Sequence, residues 1–129
     1  MGDNITTIGA YAFAFCSALE TIHLSESLVI IEDNAFSYCD GLVCLTLPDN
    51  DLKIGMYSFW DCYNLSSIKL STTLSEIGAQ AFGSCSSLSD VILPASLQTI
   101  GDSAFKTGSK MNSITYQGTR EQWLLLQGH

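Results

Sequence analysis

Apolar residues recur along the chain on a fixed beat. Isoleucine returns at Ile8, Ile31, Ile54, Ile77 and Ile100, phenylalanine at Phe13, Phe36, Phe59, Phe82 and Phe105, and cysteine at Cys16, Cys39, Cys62 and Cys85, always 23 residues apart. A fixed period of about 20 to 50 residues marks a chain that stacks one supersecondary unit on the next. Each copy then contacts only its neighbours. The copies run over 8–30, 31–53, 54–76 and 77–99, and a fifth opens at Ile100. In LPDNDLKI, Leu52 comes one place late and the register recovers before Ile54, which reads as a bulge in a loop.

Within the copies, the triplets Leu19-Ile22-Leu24, Leu42-Leu45-Leu47, Leu65-Ile68-Leu70 and Leu88-Val91-Leu93 end in two apolar residues separated by one other. Residues two apart point to one side of a strand, so each triplet predicts a short strand. Successive copies run in one direction, giving a parallel sheet with a rung every ~4.8 Å. Met111, Ile114 and Tyr116 supply a fifth rung.

The return half carries Ala-Phe-x-x-Cys, with Ser58 for the alanine in the third copy. Such a run is too short for a regular helix and reads as a tight helical or 3₁₀ turn that drives the phenylalanines into the solenoid axis as a stacked spine. Gly9, Gly55, Gly78 and Gly101 follow the leading isoleucines, where a reversing chain is expected to need φ > 0, although Glu32 stands there in the second copy. In the fourth copy, Ile77, Ala81, Phe82, Cys85, Leu88, Val91, Leu93 and Leu97 are expected to face inward.

After Tyr116 the pattern stops. Gly118 ends the strand, and Thr119-Arg120-Glu121-Gln122 is a capping-box pattern opening a short helix. Trp123 and one or more of Leu124, Leu125 and Leu126 then cover the last rung, as solenoid ends require. The expectation is one solenoid domain over 1–129, with 1–7 the end of a preceding repeat, 8–116 the repeats and 117–129 a C-terminal cap. Ile5 stands before Ile8 as Leu28 stands before Ile31, so the chain reads as a segment of a longer protein. Its first rung is an open edge suited to self-association.

Composition narrows the function classes. Hydrophobic residues make up 47% of the chain and charged ones 14%, which fits a packed globular core. The net charge of −8 leaves Lys53, Lys69, Lys106, Lys110 and Arg120 unclustered, so a phosphate backbone would be repelled and no nucleic-acid partner is expected. No apolar run approaches the ~18 residues of a membrane span. The opening MGDNITTIG lacks the features of a signal peptide. Four of the five cysteines share one column, ended by Gly108, and read as free, buried, small apolar side chains rather than a disulfide framework.

The string IGxxAFxxCxxLxxIxLPxSLxxIG, carried by Ile77 to Gly101, resembles the BspA-like, or treponemal-type, leucine-rich repeats, and the resemblance extends from Ile5 to about Tyr116. ITYQGTREQW, from Ile114 to Trp123, is similar to the segment that closes such arrays in many bacterial members. Ser25 and Ser71 depart from the pattern where Pro48 and Pro94 keep it. The resemblance implies an α/β leucine-rich-repeat solenoid, right-handed, with a parallel β-sheet on the concave side and short turns, 3₁₀ or short strands on the return side. It implies a non-enzymatic protein-binding module of a bacterial cell-surface or secreted, adhesin-like protein, located outside the cell or on its surface. The ligand would be a protein such as a host or extracellular-matrix protein, and no catalytic motif or cofactor accompanies the family. The alternative is a structural spacer or stalk with no ligand of its own.

The residues themselves offer no catalytic, cofactor-binding or metal-binding motif. His23 and Cys44 fall on neighbouring rungs within roughly 7 Å, but two ligands do not make a zinc site, which takes about four. His129 stands alone at the end. Asn4-Ile5-Thr6 and Asn64-Leu65-Ser66 match the glycosylation tripeptide, the second around a core leucine. Binding is expected on columns free to vary. The outward positions of the sheet are Thr21 and His23, Cys44 and Thr46, Ser67 and Lys69, Asp90 and Ile92, and Ser113 and Thr115, a shallow floor of mostly small neutral residues. A second candidate is aromatic: Phe15 and Tyr38 share a column, and Tyr57, Trp60 and Tyr63 crowd the third copy. Aromatics off the core columns are enriched in binding hot spots, though they also serve as padding over a neighbouring turn.

Overall fold

The computed structural model describes residues 4–106, 111 and 113–127. In chain order its elements are β1 (Thr7–Ile8), β2 (Ile30–Ile31), β3 (Cys44–Thr46), β4 (Lys53–Ile54), β5 (Ser67–Lys69), β6 (Glu76–Ile77), β7 (Asp90–Leu93), β8 (Thr99–Ile100), β9 (Ser113–Tyr116) and α1 (Arg120–Gln127). The leading isoleucines build one continuous parallel sheet of five strands, ordered β1-β2-β4-β6-β8. Ile8 pairs with Ile31, Ile31 with Ile54, Ile54 with Ile77 and Ile77 with Ile100, so one turn of the β-solenoid is one 23-residue period.

The triplet face is less regular than its alternation predicts. β3 pairs with β5 and β7 with β9, both parallel, as two separate two-stranded sheets. Residues Thr21–His23 of the first copy form no strand. The longest unbroken ladder therefore lies on the return side, where the chain needs only two residues per rung to make it.

The core follows the columns. The five phenylalanine rings stack with centroids 5.1, 5.0, 5.1 and 5.1 Å apart and planes within 4° of parallel. Phe36, Phe59 and Phe82 are wholly buried, while Phe13 and Phe105 at the ends are partly open. All eight inward residues expected in the fourth copy are buried. The cysteines do more than fill space. The thiols of Cys39, Cys62 and Cys85 donate to the carbonyls of Phe13, Phe36 and Phe59 one rung earlier, at 3.0, 3.2 and 3.1 Å.

The Ala-Phe run is a chain of turns, not a helix. Ala35 N–H to Glu32 O (3.2 Å), Ser37 N–H to Asn34 O (3.2 Å) and Cys39 N–H to Phe36 O (3.3 Å) have the i→i−3 spacing of a 3₁₀ helix. Left-handed residues interrupt them in two columns, Tyr11, Asn34, Tyr57, Gln80 and Ser103, then Phe15, Tyr38, Asp61 and Ser84, with φ of 56 to 64°. Each such residue other than glycine costs about 1–2 kcal/mol. The reversals turn the phenylalanine N–H groups along the axis: Phe13, Phe36, Phe59 and Phe82 donate to carbonyls one rung ahead, at 2.8, 2.7, 2.8 and 2.8 Å. Just after the isoleucines the direction is opposite. Glu32, Gly55, Gly78 and Gly101 donate to the isoleucine carbonyl one rung behind, at 2.9, 2.8, 2.8 and 2.8 Å.

The glycine column corrects the expectation of positive φ. None of Gly9, Gly55, Gly78 and Gly101 is left-handed; the left-handed residue comes two places later. The column serves close approach instead. A Cβ on Gly55 would lie 2.7 Å from Asp33 N and on Gly78 2.6 Å from Gly55 C, and on Gly101 it would run into Ala79 N.

Smaller irregularities are absorbed by hydrogen bonds. The late Leu52 is buried after a bend over 49–51, where the Asn50 amide donates to Leu28 O at 3.0 Å. Ser71, in place of proline, is buried and its hydroxyl donates to Asn50 O at 3.1 Å.

At the C-terminal end the capping box forms as its sequence predicts. Thr119 N–H donates to Gln122 Oε1 at 2.7 Å and Gln122 N–H to Thr119 Oγ1 at 3.1 Å. Leu126 is buried and Trp123 lies 5.4 Å from the Tyr116 ring, while Leu124 and Leu125 face solvent. Coverage is incomplete, since Ile114 of β9 is 45% exposed where Val91, one rung earlier, is 1%. Thr119→Ala should lower stability by about 1 kcal/mol, read as a fall of a few degrees in Tm by calorimetry; an unchanged Tm would show the box to be idle. At the other end, β1 is first in the strand order of the described residues, and Ile5, Ile8, Phe13, Leu19 and Ile22 line an apolar depression of about 430 Å³.

Candidate interaction surface

The strand alternation that buries Leu45, Leu47, Val91 and Leu93 turns their neighbours outward. Thr21, His23, Thr46, Ser67, Lys69, Asp90 and Ile92 are all exposed, as are Cys44, Ser113 and Thr115. Register then sets which of them meet. Cys44 stands opposite Ser67 and Thr46 opposite Lys69, with Asp90 opposite Ser113 and Ile92 opposite Thr115.

Thr21, His23, Cys44, Thr46 and Lys69 share one depression of about 430 Å³. Glu26, Pro48 and Asp49 line it as well, together with the apolar Ile22, Leu24 and Leu47. The first three lie just past the strand positions, so alternation alone did not point to them. Ser67, Asp90 and Ile92 lie outside this lining, farther along the face. There the Asp90 carboxylate accepts from Ser113 Oγ at 2.8 Å and from Ser89 Oγ at 3.1 Å.

The depression offers an imidazole, an ammonium, two hydroxyls and two carboxylates, a set suited to polar recognition. His23 and Cys44 line it together, and among the described residues no group of three or more His, Cys, Asp or Glu is placed to hold a metal. Burial pushes the Cys85 thiol up to about 12. The Cys62 thiol is raised by its hydrogen bond with Cys39 and by burial. Both are held neutral within the core.

The aromatic candidates divide. The Trp60 ring lies over Gly83 of the next rung, so close that a Cβ there would come within 2.5 Å of it, and it meets Tyr57 edge-on at 5.4 Å. Trp60 is thus committed to packing. Tyr38 and Tyr63 remain 38% and 43% exposed. Phe15 and Tyr38 stack at 4.9 Å with planes 5° apart. The amide of Asn64, in the second glycosylation tripeptide, donates to Asp40 O at 2.6 Å and so bridges two rungs. Gly108 and His129 lie outside the described residues. No helix among the described residues is long and apolar enough to cross a membrane.

Comparison with solved structures finds the same architecture in bacteria. The T. pallidum leucine-rich repeat protein TpLRR is 29% identical with a TM-score of 0.80, over 88% of this chain and 56% of that one. A leucine-rich repeat protein from Bacteroides capillosus is 31% identical with a TM-score of 0.64, over 70% and 64%. A leucine-rich cell surface protein from Faecalibacterium prausnitzii is 25% identical with a TM-score of 0.67, over 83% and 34%. The chain thus spans about a third to two thirds of these relatives. Among curated proteins none matches. The BspA type leucine-rich repeat region matches residues 2–122 in six copies. The chain belongs to the BspA type leucine-rich repeat family.

Proposed function

We propose that the chain is a non-enzymatic protein-binding module of a bacterial cell-surface or secreted protein, with an adhesin-like role. Its ligand, a host or extracellular-matrix protein, lies across the floor formed by Thr21, His23, Thr46, Ser67, Lys69, Asp90 and Ile92. The observation that carries this reading is the depression uniting Thr21, His23, Thr46 and Lys69 on positions the core does not need. Likeness to a cell surface protein supports the location.

The test is capture of purified extracellular-matrix proteins by the immobilised chain, read by surface plasmon resonance. Thr46→Arg and Lys69→Glu alter only exposed side chains, and each should weaken capture at least ~10-fold, the equivalent of about 1.4 kcal/mol. Capture that survives both substitutions would move the site off the floor. A chain that captures nothing would be a spacer.

A further inference from the structure

We propose that the turns of the first three copies form a second docking surface, for a basic, arginine-bearing segment of a partner protein. Phe15 and Tyr38 supply its aromatic contact and Asp40 and Asp61 its countercharge.

The first support is conformational. Among the described residues, four of the nine left-handed ones other than glycine are aromatic: Tyr11, Phe15, Tyr38 and Tyr57. Tyr38 and Tyr57, with a described rung on either side, are still 38 and 37% exposed, so neither is there to fill the core. The fold does not ask for rings at these places, because the same two columns hold Asn34, Gln80 and Ser103, and Ser84, in other copies. A strained backbone bearing an exposed ring is unfavourable twice over. Such strain concentrates where a site needs it.

The second support is charge. Between residues 8 and 52 the chain carries no lysine or arginine, and of its acidic residues there Asp40 is the one beside Tyr38, Glu26 and Asp49 lining the floor instead. Asp61 follows Tyr38 in its column, and Asp40 N–H donates to Tyr38 O at 3.0 Å. One carboxylate oxygen of Asp40 is buried without a hydrogen-bond partner among the described residues. Burial, and then the charge of Asp40, pushes the Asp61 carboxyl above its ordinary value. Two carboxylates beside an aromatic stack match a guanidinium. Its plane stacks on a ring and its fork meets a carboxylate.

The experiment uses an alternating arginine-glycine dodecapeptide and its counterpart with citrulline for every arginine, titrated calorimetrically against the whole chain. Asparagine tolerates the left-handed backbone, as Asn34 does, so Phe15→Asn with Tyr38→Asn, and separately Asp61→Asn, should keep the fold, as thermal melting will report. The arginine peptide should bind saturably. It should weaken at least ~10-fold with the double aromatic variant, with Asp61→Asn and with citrulline, and should be unaffected by Lys69→Glu on the floor. Equal affinity for the double aromatic variant would reduce the effect to general attraction by an acidic chain and overturn the proposal. So would an absence of binding, or equal binding of the citrulline peptide. Because Lys69→Glu tests only the floor, failure of either surface leaves the other standing.

Discussion

Phe59→Ala should abolish the single cooperative unfolding transition of the chain. The Phe59 ring is the middle of five, wholly buried, with Phe36 at 5.0 Å on one side and Phe82 at 5.1 Å on the other. Truncating a buried phenylalanine costs about 3–5 kcal/mol, because the cavity cannot fully collapse. A domain holds only about 5–15 kcal/mol in all. In a stack whose copies touch only their neighbours, the loss falls on two interfaces at once and uncouples the copies before the gap from those after it. Calorimetry with circular dichroism should show a broad or divided transition, or none. Phe105→Ala is the internal control. That ring has one phenylalanine neighbour and is partly open, so its loss should lower Tm without dividing the transition. An unchanged melt for Phe59→Ala would refute the spine.

The second large effect comes from adding an atom. Gly78→Ala would place a Cβ 2.6 Å from both Gly55 C and Met56 N, which are backbone atoms of the preceding rung. No side-chain rotation relieves that contact, so the rungs must separate. Overpacking of this kind costs about 1–3 kcal/mol or more, and here it also strains the Gly78 N–H bond to Ile54 O at 2.8 Å. Gly9→Ala adds the same methyl group where nothing lies within 4 Å. Urea denaturation should therefore give a markedly lowered midpoint for Gly78→Ala and a nearly unchanged one for Gly9→Ala. Equal effects would mean the column answers to something other than rung spacing.

These two substitutions mark what was legible in the sequence. The phenylalanine, isoleucine and cysteine columns could be read because burial demands the same kind of side chain on every rung. The capping box could be read because its partners are three residues apart. The glycine column was visible, but its cause was not, since contact with the preceding rung leaves the same mark as a need for positive φ. The left-handed columns left little mark beyond Asn34 and Asp61, residue types that favour positive φ. Tyr11, Phe15, Tyr57 and Gln80 are not residues that announce such a backbone. The thiol bonds, made to carbonyls 26 residues away, and the break in the triplet ladder both arise only once rungs are stacked. For the candidate surfaces, alternation found the outward residues, while the walls Glu26 and Asp49 and the packing of Trp60 against Gly83 had to wait for the turns to be placed.

The opposed hydrogen bonds after the isoleucines and at the phenylalanines bear on how such an array can grow. The amides that follow the isoleucines point back along the axis, as from Gly55 to Ile31, and those of the phenylalanines point forward, as from Phe36 to Ser58. In an α-helix all peptide dipoles align, and partial charges build up at its two ends. Here each copy sets one direction against the other within its own turn. Further copies lengthen the rod with little accumulated axial dipole.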